Sequence, residues 1–259
     1  MKNQYKYIAF DLDGTLYKGN QPIEENLRFV RGLKNHFLEG FFFTNNSSSS
    51  HKTLCDKLKK FNITFDSSRL YSSGSATVRF VYENKINNIF LIGSNELRDS
   101  FLNIGINIVG YEHAQAVVVG LDPLFSYQKL YEASFALQNG AKLIACNFDK
   151  NYPIENNLLM PGCGSIISSL IQASGKSVDW VIGKPNTTML DMLLKDWNID
   201  KNELIIVGDS LESDIFMAKN ANVFGILLSN ESDTKHFHSE DQGFITVKNL
   251  EFYQEIFDI

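Results

Sequence analysis

The sequence predicts an α/β fold: a Rossmann-like parallel sheet covered by helices, with a large α/β segment inserted in the middle of the chain. Two observations lead there. Short apolar runs alternate with longer amphipathic segments throughout, which is the pattern of βαβ units. The chemically suggestive loops, by contrast, gather in the first fifty residues and again at 183–214. Ligands of open parallel sheets bind beyond the carboxyl ends of strands, so one site built from both ends of the chain makes the middle an insertion. The expected division is a core of residues 1–78 and 182–259 around an insertion of residues 79–181.

The elements follow in chain order. The apolar run 5–10 is the first strand, and the amphipathic stretch 24–38 the first helix. Strand 41–44 precedes helices 50–60 and 75–84. Within the insertion, strands 89–92, 116–119 and 142–146 alternate with helices 96–102, 127–138 and 165–173. Helix 186–197, strand 204–207, helix 213–219, strand 223–228 and helix 250–257 complete the pattern.

At 259 residues the chain is long for one compact domain, and 44% hydrophobic with 21% charged residues is ordinary for a globular protein. A net charge of -6 supplies no basic field for a nucleic-acid polymer or an anionic membrane surface, and no run approaches the roughly 18 apolar residues of a membrane span. The first residues carry no signal-peptide apolar region, and Cys55, Cys146 and Cys163 form no CxxC pair. Both features suggest a reducing, cytoplasmic setting.

Four loops carry the chemistry. Asp11-Leu12-Asp13-Gly14-Thr15 follows the first strand; two carboxylates one residue apart can hold a hard cation and still leave one for acid–base work, whereas an ordinary Asx-turn explains them as well. The second strand ends in Thr44-Asn45-Asn46-Ser47, neutral groups suited to phosphate, although taken alone the segment reads better as a polar loop and helix cap. Gly183-Lys184-Pro185 sets one lysine just before a helix, where its ammonium could offset the charge of a phosphate or a carboxylate nucleophile, although a lone lysine there is more commonly a surface residue at a turn. Strand 204–207 delivers Gly208-Asp209-Ser210, with Asp214 five residues on. Asp209 is placed to complete a cation site, and Asp214 to hold its water or to orient Lys184 from behind, while a helix N-cap would explain Asp214 but not Asp209. Two weaker patterns are set aside: Gly175-Lys176-Ser177 lacks the upstream glycine of a phosphate loop, and His236 with His238 has no third metal ligand nearby.

Taken in order, DxDGT, TNNS, GKP and GDxxxxD resemble the haloacid dehalogenase superfamily of phosphohydrolases. The insertion, the VVVGLDP run and Pro161-Gly162-Cys163-Gly164-Ser165 resemble its NagD and para-nitrophenylphosphatase branch, which carries a C2-type α/β cap at that place. The resemblance implies a Mg²⁺-dependent phosphatase acting on a small-molecule phosphate monoester, a sugar phosphate or nucleoside monophosphate, through an aspartyl-phosphate. It makes Asp11 the nucleophile and Asp13 the acid–base group. Asp11, Asp209 and the backbone carbonyl of Asp13 would hold the metal, while Thr44, the Asn45 backbone and Lys184 would contact the phosphoryl group. The cap, expected to act as a lid, would select esters through Asn147, Asp149 and Tyr152, which follow a predicted cap strand. Two other readings stay open: a phosphoryl-transferring mutase on the same fold, and a phospho-ligand binding protein without catalysis. Dehalogenation is disfavoured, because halide leaves without the proton that Asp13 would supply.

Overall fold

The computed structural model describes residues 5–33, 38–153, 158–229, 238–239 and 243–250. The chain divides into two compact units. One takes in the described residues up to Thr44, Cys55–Tyr71 and those from Lys184 onward; the other is Asn45–Leu54 with Ser72–Gly183.

The first unit is built on a seven-stranded sheet in the order His238–Ser239, Phe244–Val247, Phe224–Leu228, Leu204–Gly208, Tyr7–Asp11, Glu39–Thr44 and Leu70–Ser72. The central strands pair in parallel, with Tyr7 level with both Leu204 and Glu39, and Asp11 level with Phe43. Chain order runs outward in opposite directions from Tyr7–Asp11 and Leu204–Gly208, so the switch point of the topology lies between them. Their residues are apolar on both faces: Ile8, Phe10, Phe41, Phe42, Phe43, Leu204 and Val207 are all buried, as a parallel sheet covered on both sides requires.

The second unit has a five-stranded parallel sheet, in the order Trp180–Val181, Lys142–Ala145, Ala116–Val119, Asn88–Ile92 and Asn107–Ile108. Val117, Val119, Leu143 and Ala145 pack with Ala133 and Leu137 of helix Tyr127–Gln138, and with Ile167 and Leu170 of helix Cys163–Ser174. Serines open several helices by accepting backbone N–H groups. Ser72 forms a capping box with Ser75, Ser94 caps Asn95–Asn103, and Ser126 caps Tyr127–Gln138.

The parallel α/β fold and all seven expected strands are present, with boundaries within two residues. Helix 24–38 ends early, at Arg31, where Gly32 supplies a poor helix former as its cap. Helix 213–219 is replaced by a π-helical turn, Leu211–Ile215, leading into the short helix Phe216–Ala221. The expected helix 250–257 lies outside the described residues except for Leu250, and His236 lies outside them too. Among the described residues, no helix is long and apolar enough to cross a membrane.

Candidate active site

Sheet register determines what gathers at the carboxyl edge. Asp11 ends its strand opposite Phe43, so Thr44 lies one residue beyond on the neighbouring strand; Val207 is level with Phe10, which carries Gly208 and then Asp209 to the same edge on the other side. After Asp11 the backbone turns back sharply, Leu16 N donating to Leu12 O at 2.8 Å and Gly14 N to Tyr17 O at 2.7 Å. Gly14 has φ +93°, and a Cβ there would collide with the Asp209 carboxylate. The turn therefore demands glycine twice over, for its dihedral and for the approach of Asp209. Thr15, fully buried, donates its hydroxyl to Asp209 Oδ1 at 3.5 Å.

Lys184 enters this edge from the start of its segment and is only 2% exposed. Its Nζ donates to Asp11 Oδ1 at 2.5 Å and to Asp214 Oδ1 at 2.6 Å. Asp214 is held in turn by Ser210 N, which donates to its Oδ2 at 3.1 Å. The π-turn places it: Asp214 N and Ile215 N both donate to Ser210 O, and the wider turn brings the carboxylate so close to Gly208 that a Cβ there would overlap it. Insertions of this kind in helices recur at functional sites.

The cluster is short of positive charge. Asp11, Asp209 and Asp214 each present an oxygen within 4.8 Å of the others, and among the described residues the ion pairs that Asp11 and Asp214 form both come from Lys184. Burial pushes the Asp11 carboxyl well above the ordinary range; Lys184 pulls it back, and Asp214 and Asp209 push it up again. Asp209 is exposed by area, but enough protein surrounds it that lost hydration, with Asp214 beside it, raises its pKa to about 6. Burial alone would depress Lys184, and Asp11 with Asp214 outweighs it, so the ammonium is held charged. Asp11 Oδ2 is buried and finds no hydrogen-bond partner among the described residues. A buried acceptor without a donor is costly. An all-oxygen set with an excess of negative charge and one orphaned carboxylate oxygen fits a hard divalent cation.

Asp13 points to the exposed side of the turn. Its desolvation by surrounding protein raises its pKa, while Lys57 and Lys184 pull it down. Two neighbours of Asp13 escape sequence reasoning. Tyr17, completely buried, reaches Asp13 Oδ2 with its hydroxyl at 3.5 Å, and Lys57 Nζ lies 4.0 Å from Asp13 Oδ1 and 3.7 Å above the centre of the Tyr17 ring. Lys57 shares helix His51–Lys60 with Lys52, Lys59 and Lys60. Only its helical phase sets it apart, one turn from buried Leu54 and next to buried Leu58.

The expected cap residues fall in the second unit. Asn147, 3% exposed, donates from Nδ2 to Asn45 O at 2.7 Å, and Asn45 Nδ2 donates to Asp149 Oδ1 and Oδ2 at 3.0 and 3.1 Å. Tyr152, half-buried, sits on the hairpin Asn151–Pro153 and Leu159–Pro161 opposite Met160. Residues 154–157, which follow Tyr152 in the chain, lie outside the described residues.

These features define a buried cluster of carboxylates around one lysine at the carboxyl edge of a parallel sheet, and comparison with known proteins gives it a family. The family model for haloacid dehalogenase-like hydrolases matches residues 8–107, and a second model, for HAD-like hydrolases, matches residues 181–251. The chain is 35% identical to the 5'-nucleotidase YutF of Bacillus subtilis, over 92% of this chain and 91% of that one. It is 33% identical to an acid sugar phosphatase of Staphylococcus haemolyticus, over 86% of this chain and 84% of that one. The solved p-nitrophenyl phosphatase of Archaeoglobus fulgidus superposes with a TM-score of 0.88 at 26% identity, covering 98% of this chain and 99% of that one. The chain belongs to the haloacid dehalogenase-like hydrolases. Within that family it is a phosphatase, similar to the p-nitrophenylphosphatase and NagD-like proteins.

Proposed function

We propose that this phosphatase hydrolyses small phosphate monoesters through an aspartyl-phosphate on Asp11. The observation that carries this reading is the buried pair of Asp11 and Lys184, with the unpartnered Asp11 Oδ2 beside it. In this reading Asp11 attacks phosphorus and the P–O bond to the leaving group breaks as Asp13 delivers a proton to that oxygen. Asp13 then takes a proton from water, which attacks the aspartyl-phosphate, releasing phosphate and restoring Asp11. Lys184 offsets the like charge that a carboxylate meets on approaching a phosphate. Asp214 orients Lys184, and Thr44 with the Asn45 backbone contacts the phosphoryl oxygens.

Asp11, Asp209 and the Asp13 carbonyl would hold a divalent cation, which we take to be Mg²⁺; when bound it supplies charge neutralisation at the phosphoryl group. The substrate classes proposed are nucleoside monophosphates and sugar phosphates, the kinds of substrate for which the two relatives above are named. Residues 79–181 are proposed to discriminate among esters, with Tyr152 as the residue presented to the leaving group. A cytoplasmic setting is proposed on the three cysteines, all free and buried.

The test is to quench the enzyme in acid during turnover of a labelled ester. Label retained on the chain, released by hydroxylamine and lost in Asp11→Asn, is the expected result. Steady turnover with no retained label and an unaffected Asp11→Asn variant would overturn the reading.

A further inference from the structure

The segment 147–149 is tied on both sides. Asn45 O accepts from Asn147 Nδ2 and from Ser73 Oγ, each at 2.7 Å, while the Asn45 amide donates to both oxygens of Asp149. Asp149 N donates to Asn147 Oδ1 at 3.1 Å, which locks the two holders to each other. Behind them stands the start of helix Cys163–Ser174. Gly164 N donates to Asp149 O at 2.8 Å and Gly162 N to Lys150 O at 2.9 Å, and a Cβ on either glycine would collide with the backbone of residues 148–149. Gly183 closes on Asn45 from another side, with its N–H donating to Cys146 O at 2.8 Å.

A buried asparagine whose amide is spent on a backbone carbonyl has little left for a ligand, and a carboxylate that accepts twice from one amide is committed to orienting it. We infer that Asn147 and Asp149 are positioning residues: they hold Asn45, and through the Thr44–Asn45 peptide the phosphate-contacting loop, in its working conformation. They thereby act on the group common to all substrates and not on the part that differs between esters. This rests on the reading that Thr44 and the Asn45 backbone contact the phosphoryl group. The glycines of Pro161-Gly162-Cys163-Gly164 gain a purpose from the same arrangement, since they let the helix start press directly on the segment that carries the two holders.

The experiment compares Asn147→Ala, Asp149→Ala and Asp149→Asn with the parent enzyme, using inorganic phosphate as a competitive inhibitor and para-nitrophenyl phosphate and a sugar phosphate as substrates. Loss of the buried Asn147 or the half-buried Asp149 as a hydrogen-bond partner is expected to weaken phosphate inhibition about 10-fold or more in both alanine variants. It should lower kcat/KM for the two esters by the same factor, with Asp149→Asn, which keeps one acceptor, recovering most of the loss. Unchanged phosphate inhibition with a shifted ratio between the esters would overturn the inference in favour of direct ester contact, and no change in either quantity would overturn it outright. If Asn147→Ala does not melt cooperatively, the two Asp149 variants decide. Thr44→Ala separates this inference from its premise: weakened phosphate inhibition there, without weakening in the Asp149 variants, removes the inference alone, and unweakened inhibition in Thr44→Ala removes both.

Discussion

Replacing Lys184 by Met keeps most of the side-chain volume and removes the ammonium that lies between two buried carboxylates. Lys184 is 2% exposed, Asp11 6% and Asp214 1%, so water cannot take over the lost contacts at 2.5 and 2.6 Å. Breaking a buried ion pair from one side costs about 3–5 kcal/mol, because the partner stays buried and uncompensated. At about 2–4 °C per kcal/mol for a chain of this size, the melting transition of the unit that carries the site should fall by about 6–20 °C. The deficit should depend on pH with a definite sign. Burial already raises the Asp11 carboxyl, and Lys184 is what pulls it back, so the variant's folded state holds a proton that the unfolded chain has released. A group whose folded pKa lies above its unfolded value loses stability as pH rises through the folded pKa. Calorimetry of Lys184→Met should therefore show a smaller deficit in mildly acidic than in mildly alkaline buffer. Loss of the charge proposed to face the phosphoryl group should lower kcat by about 10²–10³-fold. A variant that melts with the parent enzyme at every pH, and turns over as fast, would refute the argument.

Asp11→Asn should lower kcat by about 10⁴–10⁶-fold, the scale on which a missing nucleophile acts, yet in chelator it should melt no lower than the parent, because it removes one of three crowded carboxylates; quenched-flow kinetics and calorimetry read the two effects. Asp13→Asn should cost about 10²–10⁴-fold on an alkyl phosphate and much less on para-nitrophenyl phosphate, whose leaving group departs with little need of a proton; equal losses would count against the acid role. Gly14→Ala should weaken Mg²⁺ binding at least about tenfold by titration calorimetry, since its Cβ displaces the Asp209 carboxylate; unchanged affinity would remove Asp209 from the metal set. Exhaustive chelation should abolish turnover and Mg²⁺ restore it, whereas Ca²⁺, with a larger and looser shell, should restore little; full activity in chelator would exclude the metal.

The sheet was legible because it is buried on both faces. Strands such as Phe41-Phe42-Phe43 and Leu204-Ile205-Ile206-Val207 read as unbroken apolar runs, and such runs end where chemistry begins. Two- and three-residue strands, among them Leu70–Ser72, Tyr17–Lys18 and Trp180–Val181, were not legible, because pairing over so few residues leaves no periodic trace. The carboxylates and Lys184 could be singled out from their positions just after such runs. Lys57 and Tyr17 could not, since what brings them to Asp13 is the packing of one helix face against one turn.

The glycines show most clearly why motif reading stops short of mechanism. In sequence, Gly14, Gly183 and Gly208 look like permissive spacers beside Asp13, Lys184 and Asp209, and Gly162 and Gly164 stand out only as part of the Pro161–Ser165 segment. In the structure only Gly14 among these five has a positive φ; the other four are needed because another group occupies the place of a Cβ: the Asn45 side chain and the Cys146 carbonyl at Gly183, the Asp214 carboxylate at Gly208, and the 148–149 backbone at Gly162 and Gly164. A missing side chain carries no chemical signature of its own, so its meaning depends on the partner that fills the space, and that partner can lie far away in the chain. Alanine at Gly208 would drive out the carboxylate that orients Lys184 without touching a charged residue, so a site lined by acids is held together as much by the positions that must stay empty as by those that carry charge.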